Sequence, residues 1–460
     1  MTDKHPEATD PAETDPATAD PAKPDPATTD PVAGDPVSTE PDQHDPAAQP
    51  VVPGTAPQPA TARRGGLWNA VKSGNTVVVT LLAFVVAMLI GAVLIAIADP
   101  ATQEASKYFF SYPWDTFTAG GKAIGNGYLA LFEGAIFDPN TAAKGTLAGY
   151  LGPISETLVN ATPLILGGLS VGLAFRAGLF NIGGQGQVIL GAIFAGYAGF
   201  AWQLPPGLHL LVGILAGILG GALWGAIPGI LKAKTGAHEV ITTIMLNYIA
   251  LFLLAYLLSV KGFQRPPYGQ AISNVVHGSA RLPHLLGGSL RLHAGLIIAL
   301  LAAYGVHWLL TRSTLGFQLR AVGANQFAAR TAGMSVERSY VIVMMLAGAL
   351  CGLAGVSQIL GTNSAITGDI DAGIGFDAIT VALLGRGKAG GIVLAGLLFG
   401  ALHAGGVQMQ SSTGTPIDLV VVIQSLIVLF IAAPALVKVI FRIKATGGGV
   451  SGQLAKGWNG

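Results

Sequence analysis

Residues 76 to 98 read TVVVTLLAFVVAMLIGAVLIAIA, a run without a single charged side chain. As a helix it spans roughly 35 Å, enough to cross a hydrocarbon core of about 30 Å. Only helices, or barrels closed on themselves, satisfy their backbone hydrogen bonds in lipid, so this run commits the chain to a helical membrane fold. Further apolar runs cover about 154 to 175, 188 to 203, 207 to 230, 240 to 260, 293 to 311, 339 to 361 and 417 to 441, making eight predicted spans. Between 375 and 406, GFDAITVALLG and GIVLAGLLFGALHAG flank Arg386, Gly387 and Lys388. Each arm is short for a span, which predicts a helical hairpin or broken helices. A weaker run, 120 to 137, contains Lys122 and Glu133 and predicts an amphipathic or re-entrant external piece. The expected fold class is an all-α polytopic membrane protein of about 8 to 10 transmembrane helices, broken or re-entrant elements included.

Charge divides the chain. Residues 1 to 60 hold twelve acids and two bases, a net of −10, and the remainder carries +11. Asp10-Pro11, Asp15-Pro16 and six further acid-Pro pairs recur every five residues through Asp45-Pro46, and fourteen of the twenty-seven prolines lie in these sixty residues. Proline at that density blocks helices, and nothing apolar offsets the entropy of ordering, so 1–66 is expected to be a disordered acidic arm. It precedes a transmembrane domain at 67–445 and a flexible tail at 446–460. MTDKHPEATD lacks a basic segment followed by an apolar stretch, so no cleavable signal is expected. Placing both termini in the cytoplasm puts sixteen Lys and Arg inside and seven outside. The loop 261 to 292 is then external despite Lys261, Arg265, Arg281 and Arg291.

Glycine supplies 64 residues, and ladders such as GILAGILGGALWGAIPG (213 to 229) and AGALCGLAG (347 to 355) predict closely packed helices. GQGQVILGAIFAGYAG (184 to 199) and GKAGGIVLAGLLFGALHAGG (387 to 406) are similar enough to suggest an internal repeat. The single cysteine, Cys351, excludes a disulfide framework and any Cys-based metal site.

GLAFRAGLFNIGGQGQ (172 to 187), AHEVITTIMLNYIA (237 to 250), LGFQLRAVGANQFAARTAGM (315 to 334) and VALLGRGKAGGIVLAGLLFGAL (381 to 402) carry a resemblance. They are similar to the signature stretches of ABC-importer permeases of the branched-chain amino acid and simple-sugar superfamily, nucleoside-importer permeases above all. The resemblance covers about 75 to 445. It implies a transport subunit in a bacterial inner membrane, with a second permease in a heterodimer, a cytoplasmic ATPase and an external substrate-binding lipoprotein as partners. Nucleosides are the implied substrate; simple sugars come next and branched-chain amino acids third.

The chain contains no G-x-x-x-x-G-K-[ST] motif; Gly385-Arg386-Gly387-Lys388-Ala389 lacks the upstream glycine and the hydroxyl that would hold magnesium. ATP and Mg are therefore expected on a partner ATPase, with no cofactor or metal in this chain and no role for nucleic acid. Within the loop at about 312–338, ANQFAARTAG forms a predicted short helix bounded by Gly323 and Gly333, with Arg320, Arg330 and Arg338 nearby. It resembles a coupling helix, in which Asn325, Ala328 and Ala329 would meet the ATPase. A basic cytoplasmic loop that merely satisfies the positive-inside rule is the plainer account.

Polar groups at membrane depth mark the candidate translocation path. Asn181, Gln185 and Gln187 occupy a glycine-rich break between two spans, Glu239, Asn247 and Tyr248 lie on a following helix, and Glu156 and Asn160 come early in the second span. Amides and a phenol can exchange hydrogen bonds with ribose hydroxyls and base edges, and the plainer account is interhelical hydrogen bonding. Asp369 and Asp371 fall in a predicted external loop, where solvated charges are ordinary. His293, His307 and His403 are isolated and read as packing or interfacial residues. A secondary transporter or channel is the competing class; it would need several ionisable residues inside its spans, and only Glu156, Glu239, Asp377 and Asp418 come near. A membrane enzyme would need a nucleophile, metal set or carboxylate pair, and none is evident.

Overall fold

The computed structural model describes residues 76–441. The expectations for the arm (1–66) and the tail (446–460) lie outside the described residues. In chain order the helices are α1 (Thr76–Ala98), α2 (Pro100–Ser106), α3 (Pro113–Ala135), α4 (Pro139–Ala142), α5 (Leu147–Arg176), α6 (Gly184–Ala201), α7 (Leu208–Thr235) and α8 (Glu239–Leu257). After a long loop follow α9 (Gly295–Arg312), α10 (Thr314–Ala324), α11 (Gln326–Thr331), α12 (Val336–Val356), α13 (Ile374–Leu384), α14 (Ala389–Thr413), α15 (Asp418–Ala432) and α16 (Pro434–Ile440). Among the described residues, α1, α5, α7, α8, α9, α14 and α12 with its π-helical extension Ser357–Thr362 are long and apolar enough to cross a membrane, and the bent pair α15 and α16 makes an eighth. The predicted spans are found, with three differences.

The run 417 to 441 is not one straight span: α15 and α16 meet at 91° across Ala433 and Pro434, because proline at the start of α16 cannot donate back into α15. The pair at 375 to 406 is unequal. α13 has 11 residues, whereas α14 runs unbroken for 25 and ends on Gly414 at φ +70. Gly405 and Gly406 read in sequence as a helix end, yet they serve contact: a Cβ at Gly405 would lie 2.3 Å from the Leu131 carbonyl oxygen. α6 falls outside the seven because its first turn, GQGQ, is polar. The 120 to 137 run is part of α3, whose Gly127 lies against Ile95 of α1 and whose Gly134 lies against Gln408 of α14.

The glycine ladders are where the helices meet. A Cβ at Gly221 would fall 2.2 Å from the Gly348 carbonyl oxygen, and one at Gly352 would fall 2.3 Å from that of Gly217, so α7 and α12 touch backbone to backbone. In the same manner α14 meets α5, with Gly396 against Ile165 and Gly400 against the Thr157 carbonyl. α5 is the centre of the bundle, 83% buried over its apolar window, against 22% for α9.

These contacts reveal a repeat. α5 and α12 each lead into a non-helical break, 177 to 183 and 363 to 373. Each break is followed by a helix, α6 or α13, then by a long one, α7 or α14. The long helix of each half packs on the leading helix of the other. The repeat therefore pairs α6 with α13, a register different from the similarity of 184–199 to 387–406, because shared small-residue composition does not report topology.

One end of the bundle, the basic end, brings together Arg176, Lys232 and the turn that carries Arg386 and Lys388. Arg176 Nε donates to the Gly387 carbonyl at 3.2 Å, Gly323 abuts the Arg176 carbonyl, and Lys232 pairs with Glu239. The loop 258 to 294 joins α8 to α9 at the opposite end. It is pinned onto the second break by Ser273 N–H to the Ile366 carbonyl (2.9 Å) and Val276 N–H to the Ser364 carbonyl (2.8 Å).

Candidate functional site

Gly178 at φ +75 turns the chain out of α5, and 179 to 183 fold back so that α6 begins inside the bundle. The carboxamides of Asn181 and Gln187, both 1% exposed, bond reciprocally at 2.8 and 3.0 Å, and Asn181 also donates to Ser170 Oγ at 3.2 Å. Asn247, about 12 Å along α8 from its start, bridges the break: its Oδ1 accepts from Gly186 N–H and its Nδ2 donates to the Ile182 carbonyl, both at 2.9 Å. Unwound backbone inside a membrane protein must find partners, and this side chain supplies two. The Gln185 side chain lies beside the Asp371 carboxylate. Asp371 is 5% exposed, in contrast to the solvated position expected of it. The first turns of α6 and α13 abut here, since a Cβ at Gly375 would meet the Gln185 amide nitrogen at 2.3 Å.

Asn181, Gln185, Gln187 and Asn247 are thus brought together, in a network whose bonds are made to one another and to the break. Glu239 stands apart at the basic end of α8, its Oε2 2.9 Å from Lys232 Nζ. Tyr248 is 56% exposed. The other two pathway candidates lie elsewhere again. Glu156 and Asn160 border a cavity of about 550 Å³ between α3, α4, α5 and α14, where Glu133, Arg291, His403 and Gln408 also converge. Glu156 Oε2 is 2.9 Å from Arg291 Nη1, and Asn160 Nδ2 donates to the Glu156 carbonyl. Sequence reasoning missed Glu133, His403, Gln408 and Arg291 as a set, because three segments far apart in the chain contribute them: α3, the loop before α9, and α14. The available signal was the pair His403 and Gln408, polar side chains five residues apart on a helix whose first half is apolar.

At the basic end, α10 and α11 project between α9 and α12. Asn325 caps α11, accepting from the Phe327 and Ala328 amides at 2.9 and 3.0 Å, and Gly333 at φ +80 ends the turn beyond it. The short helix of the sequence reading is present. Its details differ: Gly323 lies in the last turn of α10, where a Cβ would strike the Arg176 carbonyl at 2.4 Å, so it serves close packing and bounds nothing. Ala329 is 4% exposed, covered by Val322 and Val336, while Ala328 faces outward beside Phe327, which is 71% exposed. Arg330 pairs with Glu337, and Arg320 reaches the Gly316 carbonyl at 3.4 Å. Phe327 was not legible in the sequence, because a single aromatic beside alanines does not report whether it faces the core or solvent.

Residues 154–432 match the family described as "Branched-chain amino acid transport system / permease component". A guanosine ABC transporter permease protein of Bacillus subtilis is 40% identical over 316 residues, 68% of this chain and 87% of that protein. A glucose ABC transporter permease protein of Haloferax volcanii is 38% identical, covering 62% of this chain and 77% of its own length. A nucleoside ABC transporter permease protein of Lactococcus lactis is 35% identical, with 62% and 80% covered. No solved structure matches the chain.

Proposed function

The chain belongs to the permease-component family of branched-chain amino acid transport systems, and on that premise we propose that it forms the membrane path of an ATP-driven importer of nucleosides. The observation that carries the substrate is the 40% and 35% identity to permeases named for guanosine and nucleosides, each spanning at least 80% of the relative. As a member of an ABC system the chain works with an ATPase and a substrate-binding protein. The ATP chemistry belongs to that ATPase, since no P-loop sequence occurs here.

Within this reading, α11 docks on the ATPase. Its support is the exposed Phe327 beside Ala328 on a capped helix at the basic end, an aromatic anchor of the kind that dominates interfaces. The basic end is cytoplasmic by the charge rule, which places both termini inside. A second, homologous permease completes the path as a heterodimer, consistent with the many exposed apolar side chains of α8 and α9, among them Phe252, Tyr256 and Tyr304. The 38% identity to a glucose permease supports a second reading, import of a simple sugar.

Uptake of radiolabelled guanosine, glucose and leucine by cells with and without this gene separates the substrates. The proposal expects guanosine uptake alone to fall on deletion and to return on complementation. Loss of glucose uptake with guanosine unaffected supports the second reading and rejects the first.

A further inference from the structure

The cavity between α3, α5 and α14 is open to more than a passive reading. Its volume of about 550 Å³ lies within the roughly 300 to 1,000 Å³ of pockets that enclose one small ligand. Among the described residues, no hydrogen bond or ion pair engages the Glu133 carboxylate, the His403 imidazole or the Gln408 carboxamide, and Asn160 Oδ1 is likewise free; all four residues are half-buried and line the cavity. Half-buried polar groups without protein partners take them from water or a ligand. At the rim, the Glu156–Arg291 pair ties the long loop to α5.

The chemistry of the lining is selective. Glu133, Asp138 and Glu156 face only one permanent cation, Arg291, so a phosphate or carboxylate ligand meets net repulsion. A carboxylate accepts from two neighbouring hydroxyls at once, and the amides can both donate and accept. No Phe, Tyr or Trp lines the cavity, so there is no face on which a base could stack. We propose that this cavity is a sugar-reading site: it binds a neutral nucleoside through its vicinal 2′,3′-diol, with Glu133, Asn160, His403 and Gln408 as the polar contacts, and does not distinguish the base. The assignment rests on the nucleoside reading above.

The single native cysteine, Cys351, is fully buried, so an introduced thiol is the one that reports in this chain, read after the subunits are separated. In membranes holding the complete transporter, Gln408→Cys is to be labelled with N-ethylmaleimide in the presence of guanosine, cytidine, 2′,3′-dideoxyguanosine or guanosine monophosphate. At ten times the half-protecting concentration, guanosine and cytidine slow labelling about tenfold by simple occupancy; the dideoxy and phosphorylated compounds at the same concentration leave it unchanged. Val407→Cys, which also lines the cavity, takes the place of Gln408→Cys if that variant does not assemble, and Ser111→Cys, outside the cavity, shows no protection. Transport of guanosine by the wild type without protection at position 407 or 408 overturns the site, as does equal protection by the dideoxy compound. If the wild type imports glucose and no guanosine, the nucleoside reading falls by itself, and protection by glucose then decides whether the cavity reads hydroxyls.

Discussion

Asn247 shows how one side chain can fix a broken helix. Both of its bonds go to backbone groups of the break, Gly186 N–H and the Ile182 carbonyl. Asn247→Leu leaves both buried and unpaired, at about 1 to 3 kcal/mol each. A fall in melting temperature of the detergent-purified protein is expected, and Asn247→Gln is expected to recover little, since the longer side chain displaces both atoms. A melting temperature equal to wild type for the leucine variant would show that the break does not depend on this residue. His293 is a second such residue. It is 1% exposed, its Nδ1 accepts from Gly295 N–H, and its Nε2 lies 3.2 Å from Thr362 Oγ1. Burial, with help from His284 and Arg291 nearby, pushes its imidazole down from 6.5 to about 4. The folded protein therefore holds the ring neutral while an unfolded chain protonates below 6.5. The stabilisation is complete above pH 6.5 and is lost as pH falls towards 4, a change on the order of 3 kcal/mol. Melting curves at about pH 7.5 and pH 5 should diverge more for wild type than for His293→Gln; identical pH dependence in the two would contradict the assignment.

At the scale of elements, the spans were legible because twenty uninterrupted apolar residues have few alternatives in water or lipid. The break at 177 to 183 was legible for the converse reason: Asn181, with Gln185 and Gln187 just beyond it, interrupts an apolar stretch with groups that need partners. Glycine was the point of ambiguity. Gly405 and Gly406 continue α14, Gly333 ends a turn, and Gly323 admits a neighbouring backbone, and a sequence does not separate these uses because each follows from the missing Cβ. Direction was equally hidden: Ala328 and Ala329 are alike in sequence, yet one faces outward and the other is packed under Val322 and Val336. The α11 docking proposal therefore narrows to the outward face. Ala328→Glu should weaken ATPase association by about 2 to 5 kcal/mol through a clash or an unpaired buried charge, with membrane abundance near wild type, as read by co-purification. Lys438→Glu, on α16, is the control. Full ATPase recovery with Ala328→Glu would return α11 to the status of an ordinary basic segment.

For the whole molecule, two halves of like element order, each clasping the other's leading helix, place the starts of α6 and α13 side by side within the bundle. The cavity with Glu133, Asn160, His403 and Gln408 lies apart from that junction, between α3, α5 and α14. The repeat was suggested by the sequence in another register, and the cavity was not visible along it, because the residues that converge there are as far apart as Glu133 and Gln408. Under the proposed function this chain is the path and a separate ATPase is the motor. Guanosine uptake by proteoliposomes containing the purified complex, with and without ATP, tests it most directly. An ATPase subunit is expected to co-purify with the chain, and guanosine to accumulate only when ATP is present and hydrolysed. Accumulation by the chain alone, driven by an ion gradient without ATP, would contradict it.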